Sequence, residues 1–236
     1  MPQRSDCRWN YPPMTSLPDK PGSATVLTRT EWFRNRFFKL VTDEIRLPSA
    51  TGADDEGSVE HPSPTVRRDY VADHLGAVGV VAYDEHADAI VLVRQYRHPV
   101  GRQLWELPAG LLDIAGESAL SCAKRELAEE ADLVARRWDV LLDLLVTPGS
   151  SNEAIRIYLA RDVAVLPEAQ RTVRIDEEAT MVREWVPLDL AIAAVLGGKL
   201  ENAACVAGVL ALQHAKTARW PPLRAAGATW RARPGL

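Results

Sequence analysis

The eighteen residues GESALSCAKRELAEEADL, from Gly116 to Leu133, crowd four glutamates into fourteen positions and set an Arg–Glu pair just ahead of the last two. Leu120, Ala123, Leu127 and Ala131 recur at helical spacing and give one apolar face. Ser118 suits an N-cap, so the stretch reads as a helix over 118–131. Residues three and four apart share a helix side, which brings Glu126, Glu129 and Glu130 together. Glu117 sits just ahead of the helix and folds back toward the same side. Two carboxylates about 5 Å apart repel by about 3 kcal/mol at an effective dielectric near 20. The helix propensity of glutamate does not offset that across three groups. A solvated face with pairs such as Arg125–Glu129 would screen the repulsion, and so would divalent cations. Mg²⁺ takes carboxylate oxygens and keeps waters and substrate phosphates as its other ligands. The spacing therefore points to a phosphate substrate bridged by metal.

On either side the pattern is mixed. Val26–Leu47 and TVRRDYVADH read as strands flanking the loop Pro48–Pro64, which is rich in Gly, Pro and Asp. GAVGVVAY (76–83) and AIVLVRQY (89–96) form a hairpin signature. QLWELPAG reads as one strand, and WDVLLDLLVT, EAIRIYLAR and VREWVPL as three more. LDLAIAAVLGG and roughly Ala203–Ala218 read as helices. These elements predict an α/β sandwich. Residues 1–24 form a flexible arm, 25–74 a small antiparallel β subdomain, 75–218 the main domain and 219–236 an irregular tail.

A formal net charge of −4 argues against a nucleic-acid binder, which needs a basic surface to release counterions. Cys7, Cys122 and Cys205 are far apart and odd in number, which implies neither a disulfide framework nor a zinc site. The segment MPQRSDCRWNYPPMT has no apolar signal core, and no eighteen-residue apolar run occurs, so a cytoplasmic protein without membrane contact is expected.

The order Glu-x7-Arg-Glu-apolar-x-Glu-Glu resembles the Nudix box, Gly-x5-Glu-x7-Arg-Glu-apolar-x-Glu-Glu-x-Gly-apolar. Glu117, Arg125, Glu126, Leu127, Glu129, Glu130 and Leu133 match it in register. Two positions depart. Gly110 comes one residue early, so the loop GLLDIAGE is one residue longer. Asp132 stands where the box has its second glycine; aspartate tolerates a left-handed backbone better than most residues. VRQYRHPVGRQLWELPAGLLD, with its Gln-x-Arg and Glu-Leu-Pro-Ala-Gly, and Pro148, fifteen residues after Leu133, resemble the ADP-ribose pyrophosphatase group. The resemblance implies an α/β/α sandwich behind a small antiparallel β subdomain that serves dimerisation. It also implies hydrolysis of ADP-ribose to AMP and ribose 5-phosphate. NADH-type markers after the box are absent. The alternatives are another nucleoside diphosphate sugar or dinucleotide as substrate, or an ADP-ribose sensor that has lost catalysis.

A pyrophosphate repels hydroxide, and metal ions that neutralise it and hold a water in line answer both difficulties. Glu126 and Glu130 are the first metal ligands expected, with Glu129 and Glu117 completing the cluster. The resemblance adds the backbone carbonyl of Ala109. Mg²⁺ is the expected ion, with Mn²⁺ as the alternative. Arg125 orders the glutamates by hydrogen bonding. The resemblance implies a catalytic base from a loop after the later strands, here RTVRIDEEATM, with Glu177 the better placed and Glu178 the alternative; otherwise the base comes from the cluster itself. Arg97 is the best candidate for the substrate phosphates, with Arg67 or Arg68 reaching in from the N-terminal sheet. Glu106 is a candidate for ribose or adenine. Phe37 is a candidate for stacking on the base, against its being a core aromatic on a strand. His74 and His98 read as structural.

Overall fold

The computed structural model describes residues 19, 22, 24–48, 63–173 and 181–233. Most of the N-terminal arm, most of the loop Pro48–Pro64, and both Glu177 and Glu178 lie outside the described residues. Three strands, β1 (Thr25–Arg34), β2 (Lys39–Arg46) and β3 (Thr65–Ala72), form a sheet in the order β1-β2-β3. Side-chain partners fall in number along β2 as they rise along β1, from Thr28–Glu44 to Arg29–Asp43, the antiparallel pairing expected from the sequence. The chain resolves into two compact units. One holds the described residues within Met1–Arg29 and Asp43–Arg68, and the other Thr30–Thr42 and Asp69–Leu236. In the first, Arg29 grips Asp43 through two hydrogen bonds of 2.7 Å.

The second unit carries the main architecture. Its strands are β4 (Ala77–Asp84), β5 (Ala89–Arg97), β6 (Arg102–Glu106), β7 (Ala109–Leu111), β8 (Leu133–Leu145), β9 (Ala154–Val165), β10 (Val182–Pro187) and β11 (Arg224–Ala225). They follow the path β10-β5-β4-β9-β8-β11, with β6 added to β5 and β7 to β4. The hairpin read from the sequence exists, but β4 and β5 pair only at Tyr83↔Ile90 and Asp84↔Ala89. Beyond that point β4 runs parallel to β9, and β5 pairs with β10 and β6.

QLWELPAG, expected as one strand, is two. Pro108 has no N–H for a ladder. Its carbonyl instead accepts from the Val80 N–H at 2.9 Å. The chain thereby steps from β5, which pairs with β6, to β4, which pairs with β7.

Helices α1 (Ala119–Ala131), α2 (Leu188–Leu196) and α3 (Ala203–Thr217) cover the sheet. Successive strand residues face opposite ways. Val78, Val80 and Ala82 of β4 and Tyr158 and Ala160 of β9 pack with Ala119, Cys122, Ala123, Leu127 and Ala131 of α1. Val81, Tyr83, Ile157 and Leu159 pack on the other face with Leu188 and Ala191 of α2 and Cys205, Val209 and Leu212 of α3. This is the α/β/α sandwich. Burying a residue such as Leu127 is worth about 2 kcal/mol. Gly208 lets α3 sit close, since a Cβ there would lie 2.9 Å from Leu107 Cδ1 and 3.0 Å from Val81 Cγ2.

The C-terminal tail is irregular in backbone apart from β11, yet it is docked. Arg156, 2% exposed, takes Asp143 at 2.7 and 3.0 Å and donates to the carbonyls of Ala228 (2.6 Å) and Thr229 (3.1 Å). Trp230 is buried in the α1 core, 5.1 Å under the Arg156 guanidinium. Arg224 also reaches Asp143, at 2.6 Å. Burial raises the Asp143 pKa, but its two arginine partners outweigh that and hold the carboxyl below its ordinary 3.8. A depressed carboxyl contributes stability above its unfolded pKa and loses it as pH falls through the folded value. Asp143→Asn is therefore expected to cost about 3 kcal/mol at pH 7. The gap from wild type in thermal unfolding should narrow progressively below about pH 4.

Candidate active site

Why α1 forms where it does is visible at both ends. The Ser118 side chain accepts from the Ser121 N–H at 3.1 Å, the expected cap. At the other end Asp132 has φ 51° and ψ 37°, the left-handed conformation that the sequence predicts for this position. A non-glycine residue there costs about 1–2 kcal/mol. Its carboxylate is also buried, which demands a partner. Arg183, on β10, supplies one. It contacts Asp132 Oδ2 and donates to the Ala131 carbonyl at 2.6 Å.

Arg125 gathers the box acids. Its Nε and Nη2 each lie 3.1 Å from the Glu117 carboxylate, and Nη1 lies 2.6 Å from Glu126 Oε1 and 3.0 Å from Glu129 Oε2. Glu117 folds back as expected. Its hydrogen bonds to Arg125 hold its carboxyl below the usual range, and the guanidinium is correspondingly pushed up, first by Glu117. Glu126 and Glu130 are buried, and Glu129 is half-buried. Glu130 Oε2 accepts the Ala109 N–H at 2.8 Å, which ties the helix to the start of β7. Cys122 lies inside the same cluster, its thiol pushed up to about 12 by burial.

Gly110 is where the early box glycine acquires a reason. A Cβ there would lie 2.0 Å from Glu126 Oε1 and 2.1 Å from its Cδ. The missing side chain is the space in which the Glu126 carboxylate sits. Among the described residues, no three Asp, Glu, His or Cys side chains converge on one point as metal ligands. What Glu117, Glu126 and Glu129 share is a guanidinium. The donor set still fits a hard divalent ion. It is all oxygen, it gathers four carboxylates, and two of those carboxylates lie buried against the Ala109–Gly110 main chain.

A cavity of about 530 Å³ opens beside this main chain, lined by Arg97, Glu106, Ala109, Gly110, Glu153 and Asn202 among others. Arg97 and Glu106, proposed separately from the sequence, are one unit. Arg97 Nε and Nη2 meet the two Glu106 oxygens at 3.0 and 2.7 Å, and Gln95 adds a third bond at 3.2 Å. Glu106 is 3% exposed, so it is not a solvated acid; it lines the cavity with its carboxylate held by Arg97 and Gln95. Arg67 and Arg68 lie on β3 in the other compact unit, where Arg68 donates to the Arg67 carbonyl at 2.9 Å. Phe37 is not on a strand. It sits in the turn between β1 and β2, with the Arg36 guanidinium 4.4 Å over its ring, and it does not line the cavity. His74 accepts from the Gly76 N–H at 3.1 Å, and His98 lies 3.3 Å from the Tyr96 hydroxyl, both structural roles.

Sequence reasoning missed Glu153 and the N-terminus of α3. Glu153 lines this cavity and a second one of about 490 Å³ with Phe38, Tyr70 and His74. Asn202 caps α3 at the cavity wall by accepting the Cys205 N–H at 2.9 Å. An Asn three residues ahead of Cys205, after a Gly-Gly stop, is the signal that locates that cap.

The NUDIX domain model matches residues 73–206. The chain belongs to the Nudix family. It is 42% identical over 197 residues to an ADP-ribose pyrophosphatase of Mycobacterium tuberculosis (strain ATCC 25618 / H37Rv), covering 84% of this chain and 93% of that protein. It is 27% identical over 200 residues to an ADP-ribose pyrophosphatase of Bacillus subtilis (strain 168), covering 85% and 95%. The crystal structure of an ADP compounds hydrolase superposes with a TM-score of 0.63 at 20% identity, covering 86% of this chain and all of that one, which shows the shared Nudix fold. Family members generally use divalent metal ions. No helix among the described residues is long and apolar enough to cross a membrane.

The Gly110 cradle separates folding from function. The atoms a new Cβ would displace are the end of one flexible side chain, so Gly110→Ala is expected to shift thermal unfolding by less than about 1 kcal/mol. The same displacement moves Glu126, so kcat should fall by about ten-fold or more. Differential scanning fluorimetry beside a turnover assay reads both.

Proposed function

We propose that this protein is a Mg²⁺-dependent pyrophosphatase that hydrolyses ADP-ribose to AMP and ribose 5-phosphate. The observation that carries the reading is the Glu126–Glu130 face of α1, buried against Ala109–Gly110 at the edge of a cavity that also presents Arg97. The relatives named ADP-ribose pyrophosphatase favour this substrate over other nucleoside diphosphate sugars.

Glu126 and Glu130, with Glu117, Glu129 and the Ala109 carbonyl, are the groups that would hold the ion. Bound there, a divalent ion neutralises the diphosphate and lowers the pKa of a water. The chain's own residues do the rest. Arg125 aligns Glu117, Glu126 and Glu129. The Glu130 bond to the Ala109 N–H fixes the main chain at the cavity. Arg97, anchored bidentately by buried Glu106, presents a preorganised cation to the phosphates. Glu177 or Glu178 is the proposed base. We assign a homodimer in the cytoplasm. Exposed Trp32, Phe33 and Leu40, all within Thr30–Thr42, support the dimer as apolar side chains open to a second copy.

A panel of ADP-ribose, other nucleoside diphosphate sugars and dinucleotides with Mg²⁺, read by product chromatography, tests this. ADP-ribose should give AMP and ribose 5-phosphate with the highest kcat/KM. Glu130→Gln should lose about a thousand-fold or more in kcat with little change in thermal unfolding. ADP-ribose binding without AMP release would mark a sensor, and full activity in Glu130→Gln would remove that residue from the ion site.

A further inference from the structure

We infer that Trp230 is a positioning residue for the carboxylate helix, the wall that keeps Glu126 in its Gly110 cradle. Four residues form one row across the sheet. Asp143 of β8 is the register partner of Arg156 of β9, Arg156 is that of Val78 of β4, and Val78 is that of Gly110 of β7. Residues in such a row share a face. On that face Val78 packs in the cluster that holds Ala123 and Leu127 of α1. Gly110 ends the row, with the Glu126 carboxylate where a Cβ would be. Neighbouring strands lie about 4.8 Å apart, so Gly110 and Arg156, two strands apart, are separated by about 10 Å. That is close to the diameter of a helix with its side chains. Helix α1 therefore fills the width between Gly110 and whatever stands over Arg156.

Trp230 stands there. Its ring lies 5.1 Å from the Arg156 guanidinium, and the residue is buried in the α1 cluster. Arg156 also fixes the chain just before it, through the Ala228 and Thr229 carbonyls at 2.6 and 3.1 Å. One buried arginine is thus both floor and anchor for the indole. On the Gly110 side the Glu126 carboxylate already lies against main chain, so α1 has no room to move that way. Movement the other way runs into Trp230. The docked tail therefore decides how deep Glu126 sits in its cradle, and with it where Glu130, on the same helix, meets the Ala109 N–H.

The activity arm of the test rests on the proposed hydrolysis of ADP-ribose; the metal-free arm does not. Trp230→Ala should lower kcat by about ten-fold or more with KM within about three-fold of wild type. In metal-free protein it should speed amide exchange at Glu126 and Leu127 by about ten-fold more than at Val209 and Leu212 of α3, on the other face of the sheet. Trp230→Phe should stay within about three-fold of wild type in both measurements, since it keeps the wall and loses an indole N–H that has no partner among the described residues. Trp230→Leu should fall between Trp230→Phe and Trp230→Ala, and it serves where Trp230→Ala does not fold. Gly110→Ala and Trp230→Ala both act on the seat of Glu126, so the double variant should lose no more than about three-fold in kcat beyond the worse single. Wild-type kcat without the wall, exchange raised equally in α1 and α3, or losses that multiply in the double variant would overturn the inference. If wild type turns over no ADP-ribose, the functional reading fails, and the exchange contrast still decides the role of Trp230.

Discussion

Everything at the site depends on one arginine holding several carboxylates against a sheet. At 2.6 to 3.1 Å, the Arg125 guanidinium meets Glu117, Glu126 and Glu129 at once, donating through a rigid fork. Without it, like charges at helical spacing would repel by several kcal/mol in total and fray the turn that carries them. With it, the acids stay ordered.

The fold serves this arrangement by bringing backbone to the acids. Pro108 breaks what would otherwise be one strand, and the chain crosses from β5 to β4 at that point. The crossing presents the Ala109 N–H to Glu130 and the bare Cα of Gly110 to Glu126. Gly208, on the opposite face, lets α3 press on Leu107, just before the break. A cavity with Arg97 on one wall and Ala109–Gly110 on another is thus a consequence of one proline and two glycines placed between packed layers.

The helix was legible because its signals are local. Ser118, the apolar positions and the glutamates lie within fourteen residues, and periodicity reports on that range. The same holds for the strands and for the tolerance of Asp132 for its backbone. What was not legible joins residues far apart. Arg183 and Asp132, Arg156 and the tail carbonyls, and Gly110 and Glu126 are pairs made by packing, and no local pattern marks the pairing even where it marks one member. Glu106 shows the difference within one residue. Its position near the site was readable, but its role depended on Arg97 and Gln95 facing it from the neighbouring strand. The strand reading at Phe37 failed for a local reason, since Asn35 accepts the N–H groups of Phe37 and Phe38 and makes a turn there.

The tail extends the argument from site to stability. Trp230 packs in the same cluster as Ala123 and Leu127 of α1, so the helix that carries the acids is buried on one side by the sheet and by a segment from the far end of the chain. A two-residue strand cannot hold such a segment by backbone pairing alone. Buried Arg156 does, by spending its donors on Asp143 and on the Ala228 and Thr229 carbonyls. The pattern is the one Arg125 and Arg183 follow: a guanidinium placed where two parts of the chain meet, satisfying carboxylates and carbonyls that burial would otherwise penalise. Three arginines from three elements thus brace α1, directly or through what packs on it, at its acidic face, at its C-terminal end and beneath the docked tail.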